Sequence, residues 1–226
     1  MTALTEPPAS PPAPADARPL LRGWIHLVAV VVAVVATPLV VAAAPSAGAA
    51  VALTVYMLSV VALFGVSAAF HRVRWSPPAR RRMRRADHAT IFIAIAGTYT
   101  AVGGLALGGW ARALVLSVAW TGAVVGITVR QAWLDAPKWA VALPYVVVGW
   151  SALLVVPQLA RALGGTGLGL LAAGGVVFTV GALVYAAKKP NPVPGVFGYH
   201  EIFHACTVVG ATLQFVVVTA FVLPRR

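Results

Sequence analysis

Apolar residues arrive in this chain in uninterrupted blocks about as long as a bilayer is thick, and nothing else in it constrains the fold so tightly. They run approximately over residues 24–44, 49–71, 88–108, 111–129, 139–157, 166–187 and 200–223. Each approaches the ~20 residues a helix needs to cross the ~30 Å hydrocarbon core. Stretches in that setting must be helical, because a helix satisfies its backbone N–H and C=O groups internally where water cannot. A soluble core would instead interleave charge with apolar stripes. Here 60% of the residues are hydrophobic and 10% charged, with a mean hydropathy of +0.89. The blocks predict an all-α polytopic membrane protein with seven transmembrane helices in one domain, residues 20–226.

Between the blocks the breaks are expected at Pro45-Ser46, the Arg-rich stretch 72–85, Gly108-Gly109, Asp135-Ala136-Pro137, Gly164-Gly165 and Pro190-Asn191-Pro192. Residues 1–19, rich in Pro, Ala and Ser, cannot bury enough surface to fold and are expected to form a disordered cytoplasmic tail. The first block imitates a signal peptide, with Arg18 and Arg22 ahead of it and Ala42-Ala43-Ala44 at its end. It exceeds the ~7–15 residue core of such a peptide and is read as the first span. Cys206 is the single cysteine, which rules out an intramolecular disulfide.

A formal charge of +12 would suit nucleic acid, but these cations sit between apolar blocks, the pattern of topogenic and lipid-facing charge. No nucleic-acid partner is expected. With the N-terminus inside, the cytoplasmic side receives Arg18, Arg22, Arg72, Arg74, Arg80, Arg81, Arg82, Arg84, Arg85, Arg130, Lys138, Lys188 and Lys189, thirteen of the seventeen cations. The outer side keeps four, Arg112, Arg161, Arg225 and Arg226. Positive charge favours the cytoplasm, so the expectation is an N-in/C-out multi-pass protein of the cell inner (plasma) membrane.

That topology brings distant histidines to one depth. His71 ends the second block at the cytoplasmic boundary, and His200 and His204 open the seventh at the same boundary. The last two stand four residues apart and share a helix face. Three imidazoles are a donor set for Zn²⁺ that leaves a fourth tetrahedral position open, as in catalytic sites. Water activated there can attack an ester or amide carbonyl. Asp87 reaches the same depth and can orient that water or act as general base; the alternative is an N-cap of the third span. Ser67 lies one turn before His71, as a neighbour of the metal shell or as a serine bonded to its own helix backbone. His88 points about 100° away from Asp87 and reads as an interfacial histidine, while His26 is given no role. His200-Glu201-Ile202-Phe203-His204 also matches the H-E-x-x-H of zinc proteases, with glutamate as base. No further ligand follows His204, which argues against that reading.

The stretches Ser67-Ala-Ala-Phe-His71, Trp75-Ser-Pro, the Arg-rich loop, Asp87-His-Ala-Thr-Ile91, Gly97-Thr-Tyr-Thr100 and Gly198-Tyr-His-Glu-Ile-Phe-His204 resemble, in that order, the hemolysin III family. This is the bacterial branch of the progestin and adipoQ receptors, which include the adiponectin receptors. The resemblance covers residues 20–223. It implies a seven-helix fold with zinc on His71, His200 and His204, Asp87 contacting the metal through water and Ser67 nearby. Relatives in the alkaline ceramidase superfamily imply lipid-amide hydrolysis, with membrane lipids as partners and a substrate in the inner leaflet. Bacterial members imply a part in membrane-fluidity homeostasis. Ala101 stands where the family often has proline. Against the hydrolase stand a membrane-state sensor with structural zinc and, on the literal sense of the family's name, a pore former. Spans rich in Gly and Ala suit close helix contact better than a polar lumen.

Overall fold

The computed structural model describes residues 19–223, so most of the tail predicted over residues 1–19, together with Arg18, Arg225 and Arg226, lies outside the described residues. The described chain is helical, with no strand beyond one isolated bridge between Val193 and Phe197. In order come α1 (Trp24–Ala42), α2 (Ala47–Arg72), α3 (Pro77–Ala106), α4 (Gly109–Ala132), α5 (Lys138–Gly149), a 3₁₀ segment (Trp150–Val155), α6 (Val156–Ala187) and α7 (Tyr199–Val216). A π-helical segment (Val217–Val222) continues α7. Six stretches are long and apolar enough to cross a membrane, and the longest, Lys138–Ala187, comprises α5, the 3₁₀ segment and α6. The fold is that of a polytopic membrane protein.

Local chemistry explains most boundaries. The Ser46 hydroxyl accepts from the Ala49 N–H at 3.2 Å and caps α2. Prolines in the first turn open α3, where their preset φ costs nothing. The Arg-rich stretch was expected to be a break, but from Pro77 onward it is the first part of α3. Arginine and methionine are good helix formers, and a helix outside the hydrocarbon has no need of apolar residues. Pro144 lies inside α5, and the helix tightens into 3₁₀ geometry soon after. The Tyr99 hydroxyl bridges that joint, donating to the Gly149 carbonyl at 2.8 Å and accepting from the Ala152 N–H at 2.7 Å. Gly164, with φ 70° and ψ 176°, breaks the α6 path.

That break folds the 50-residue stretch back on itself. Run straight, it would extend about 75 Å at ~1.5 Å per residue. Instead Lys138 Nζ, at its start, lies 4.4 Å from the ring of Tyr185, near its end. The same ammonium is hydrogen-bonded to the Tyr199 hydroxyl at the start of α7. Arg22 is paired with Glu201 of α7, Arg72 covers the Trp24 ring at 4.1 Å, and Arg84 meets Asp135 at 2.6 Å. These contacts gather the basic termini of the helices at one end of the bundle.

α2 against α3 and α6 against α7 form the most extensive packing. α3 is the most enclosed of the candidate spans, while α1 and α4 are the most exposed. Exposed Val28, Val32, Val35 and Leu39 on α1 are ordinary for a helix whose solvent is lipid. The main core joins Leu53, Tyr56, Val102, Leu159 and Val217.

Candidate metal centre

The last turn of α2 carries His71, and the first two turns of α7 carry His200 and His204. The start of α7 is fixed by its own glutamate, since the Gly198 N–H donates to Glu201 Oε2 at 2.9 Å. Each of the three histidines offers one ring nitrogen such that all three atoms lie within 4.8 Å of one another. His71 Nε2 and His200 Nε2 are 3.2 Å apart. The His71 and His200 rings stand edge to face at 4.7 Å and 76°, and those of His200 and His204 at 4.6 Å and 60°. His204 is buried.

Beside the cluster is a small cavity of about 40 Å³ whose wall includes Ser67, Asp87, Tyr145, His200 and His204. Asp87 sits well inside α3, which starts at Pro77, so it is not the N-cap of that helix. Its carboxyl is hydrogen-bonded to the Ser67 hydroxyl, and Ser67 is buried. A far larger apolar cavity of about 210 Å³ runs on into the bundle between α2, α3, α5, α6 and α7. Leu63, Ile91, Tyr145, Phe203 and Thr207 line both spaces.

A model of Haemolysin-III related proteins matches residues 16–215. The chain belongs to the hemolysin III family. Hemolysin-3 of Bacillus cereus is 32% identical over 179 residues, which cover 79% of this chain and 78% of that protein. The Hemolysin-3 homolog of Bacillus subtilis (strain 168) is 28% identical over 165 residues, covering 73% and 74%.

In this hemolysin III chain the cluster of His71, His200 and His204 can hold a metal ion, and its donors fit zinc. All three are imidazoles, which zinc accepts readily. Nitrogens placed ~2.0–2.1 Å from a tetrahedral ion stand about 3.3 Å apart, close to the 3.2 Å between His71 and His200.

Two other histidines and the pentad's glutamate have different surroundings. Arg130 Nε donates to His88 Nδ1 at 3.0 Å, so His88 is a hydrogen-bonded histidine facing α4. Glu201 is 1% exposed and holds Arg22 and the Gly198 N–H, which leaves it engaged as a structural acceptor rather than free as a protease base. His26, given no role from sequence, is buried against the site with its ring stacked on His204. One signal was readable. His26 follows Arg22 by one turn just as His204 follows Glu201 by nearly one, so pairing Arg22 with Glu201 would have set the two imidazoles side by side.

Proposed function

We propose that this protein is a zinc-dependent hydrolase of acyl-lipid amide or ester bonds that serves membrane lipid homeostasis. One observation carries the reading: the three-imidazole cluster and the Ser67–Asp87 pair stand at one end of an apolar cavity of about 210 Å³ that runs on among the helices. His71, His200 and His204 would hold the zinc, which would supply Lewis acidity toward water and a substrate carbonyl. Asp87 orients the water and takes its proton. Ser67 holds the carboxyl in place, and the wall of Leu63, Ile91 and Phe203 receives the acyl chain and keeps bulk water out. An apolar lining suits a lipid chain and does not suit an aqueous pore.

The chain makes seven crossings in this reading, N-in and C-out in the cell inner membrane. The fold-back at Gly164 and the gathering of cations at one end of the bundle support that arrangement. Positive charge favours the cytoplasm, which turns the site toward the inner leaflet, where the lipid substrate is drawn.

The test uses purified protein, its metal content and its hydrolysis of N-acyl lipids, beside His204→Ala and Asp87→Asn. His204→Ala should lose both metal and activity. Asp87→Asn should keep the metal and lose turnover by about 10²-fold or more, the usual consequence of losing a general base. If zinc-loaded wild type cleaves no lipid and Asp87→Asn still supports the cellular role, a membrane-state regulator with structural zinc replaces the enzyme.

A further inference from the structure

Four imidazoles, not three, meet at this end of the bundle. His26 comes from the first turn of α1, is 2% exposed, and lies with its ring 3.9 Å from that of His204, centroid to centroid and 11° from parallel. On another side it meets Phe64 at 5.1 Å. Neither of its nitrogens reaches a hydrogen bond of ordinary geometry among the described residues, and it makes only a loose approach to the His204 main chain. Unpaired polar atoms in so buried a position are costly, so what this ring contributes, it contributes through its faces.

The stacking also says what His26 does not do. The nitrogen lone pair with which His204 would hold a metal points outward in the plane of its own ring. A ring stacked parallel to that plane is too far above it to reach the same ion. It can, however, fix the plane itself. An imidazole drawn on by a dication is electron-poor, and an aromatic face laid against it is stabilising.

Building on the three-imidazole shell, we infer that His26 is a positioning residue for the metal ligand His204, its stacked ring setting the orientation in which His204 offers its nitrogen. The contact also couples α1, among the most exposed helices, to the centre. Around the stack, Arg22 is held by Glu201, and the remaining ring neighbours of His204 are His71, His200 and Phe203.

The experiment measures zinc affinity by chelator competition, and the visible spectrum of the Co²⁺-substituted protein, for full-length wild type, His26→Ala and His26→Phe. Metal-free thermal unfolding and gel filtration accompany each to confirm the fold. His26→Ala should bind zinc about 10-fold or more weakly, the usual loss when a support of a ligand is removed, and should shift the cobalt bands. His26→Phe keeps a stacking face and should recover affinity to within about 3-fold of wild type. A folded His26→Ala with wild-type affinity and spectrum overturns the inference, and so does a His26→Phe as weak as the alanine variant. Wild type that takes up no metal overturns this inference and the metal reading together. Hydrolysis is not read here, so a protein that cleaves no lipid yet shows the alanine–phenylalanine difference sustains the inference while the hydrolase fails.

Discussion

Glu201 shows how little a residue's motif says about its work. In the H-E-x-x-H pattern a glutamate is expected to act as base, but this side chain is 1% exposed, bound to Arg22 through one oxygen and to the Gly198 N–H through the other. It ties α1 to α7 and sets the first turn from which His200 and His204 project. Removing it leaves the Arg22 guanidinium without its carboxylate and the Gly198 N–H without its acceptor. A fully buried pair broken on one side costs ~3–5 kcal/mol. Arg22 retains 21% exposure and part of its hydration, so the expected loss for Glu201→Ala is smaller, on the order of 2 kcal/mol. Thermal unfolding in detergent should show a clear drop in Tm, with metal affinity falling as the ligands lose their anchor. An unchanged Tm would mean that the pair is not holding the two helices. Asp87 teaches the same lesson from the other direction. Its place at the start of the third apolar block left a cap as the alternative to a site role, and the helical run from Pro77 removes that alternative.

Elements meet where small residues permit it. A Cβ at Gly97 of α3 would stand 2.1 Å from the Ser59 hydroxyl oxygen of α2, which is itself bonded to the Tyr56 carbonyl at 2.6 Å. Gly97→Ala should therefore force α2 and α3 apart midway along α2, about three turns from His71, at a cost of ~1–3 kcal/mol typical of overpacking. The check is Tm beside Gly48→Ala, where an added Cβ meets nothing within 4 Å; equal Tm values would refute the close contact. Tyr99 acts at the joint between α5 and the 3₁₀ segment, where its hydroxyl serves both Gly149 and Ala152. Tyr99→Phe takes one hydrogen-bond partner from the Gly149 carbonyl and one from the Ala152 N–H. It should cost ~1–3 kcal/mol and speed amide hydrogen exchange around residues 149–152; unaltered exchange there would show that the joint does not depend on it. Both glycine and tyrosine stand in the Gly97-Thr-Tyr-Thr100 stretch noted from sequence, but neither partner could be read there. Helix rotation decides which residues face one another, and a run apolar on all sides carries no periodicity to reveal it.

At the scale of the whole molecule the bilayer made the order of elements legible. Chain length per crossing is imposed by membrane thickness, so apolar blocks mark helices almost directly, and charge between them marks the ends. The meeting of His71 with His200 and His204 followed from topology alone, because all three sit at block ends. His26 sits at a block end too, and its contact with His204 depends on the rotation of α1, which only the pairing of Arg22 with Glu201 could have signalled. The one ambiguous element is the stretch Lys138–Ala187, and it determines where the chain emerges. Crossing once, it would leave the segment between α2 and α3 and the end of the chain on the same side of the membrane. Crossing twice, with Gly164 at the turn, it separates them. The second case follows if the 4.4 Å contact of Lys138 with Tyr185 persists in the bilayer, since both ends of the stretch then lie at one surface. That surface also carries Arg72, Arg74, Lys188 and Lys189, whose transfer across the membrane is the less favoured direction. A phosphatase or fluorescent-protein reporter inserted after Arg74 should report the cytoplasm, and one fused after Arg226 should report the outside. Reporters after Arg74 and Arg226 that read the same side would require an even number of crossings and would remove the fold-back from the membrane-embedded protein.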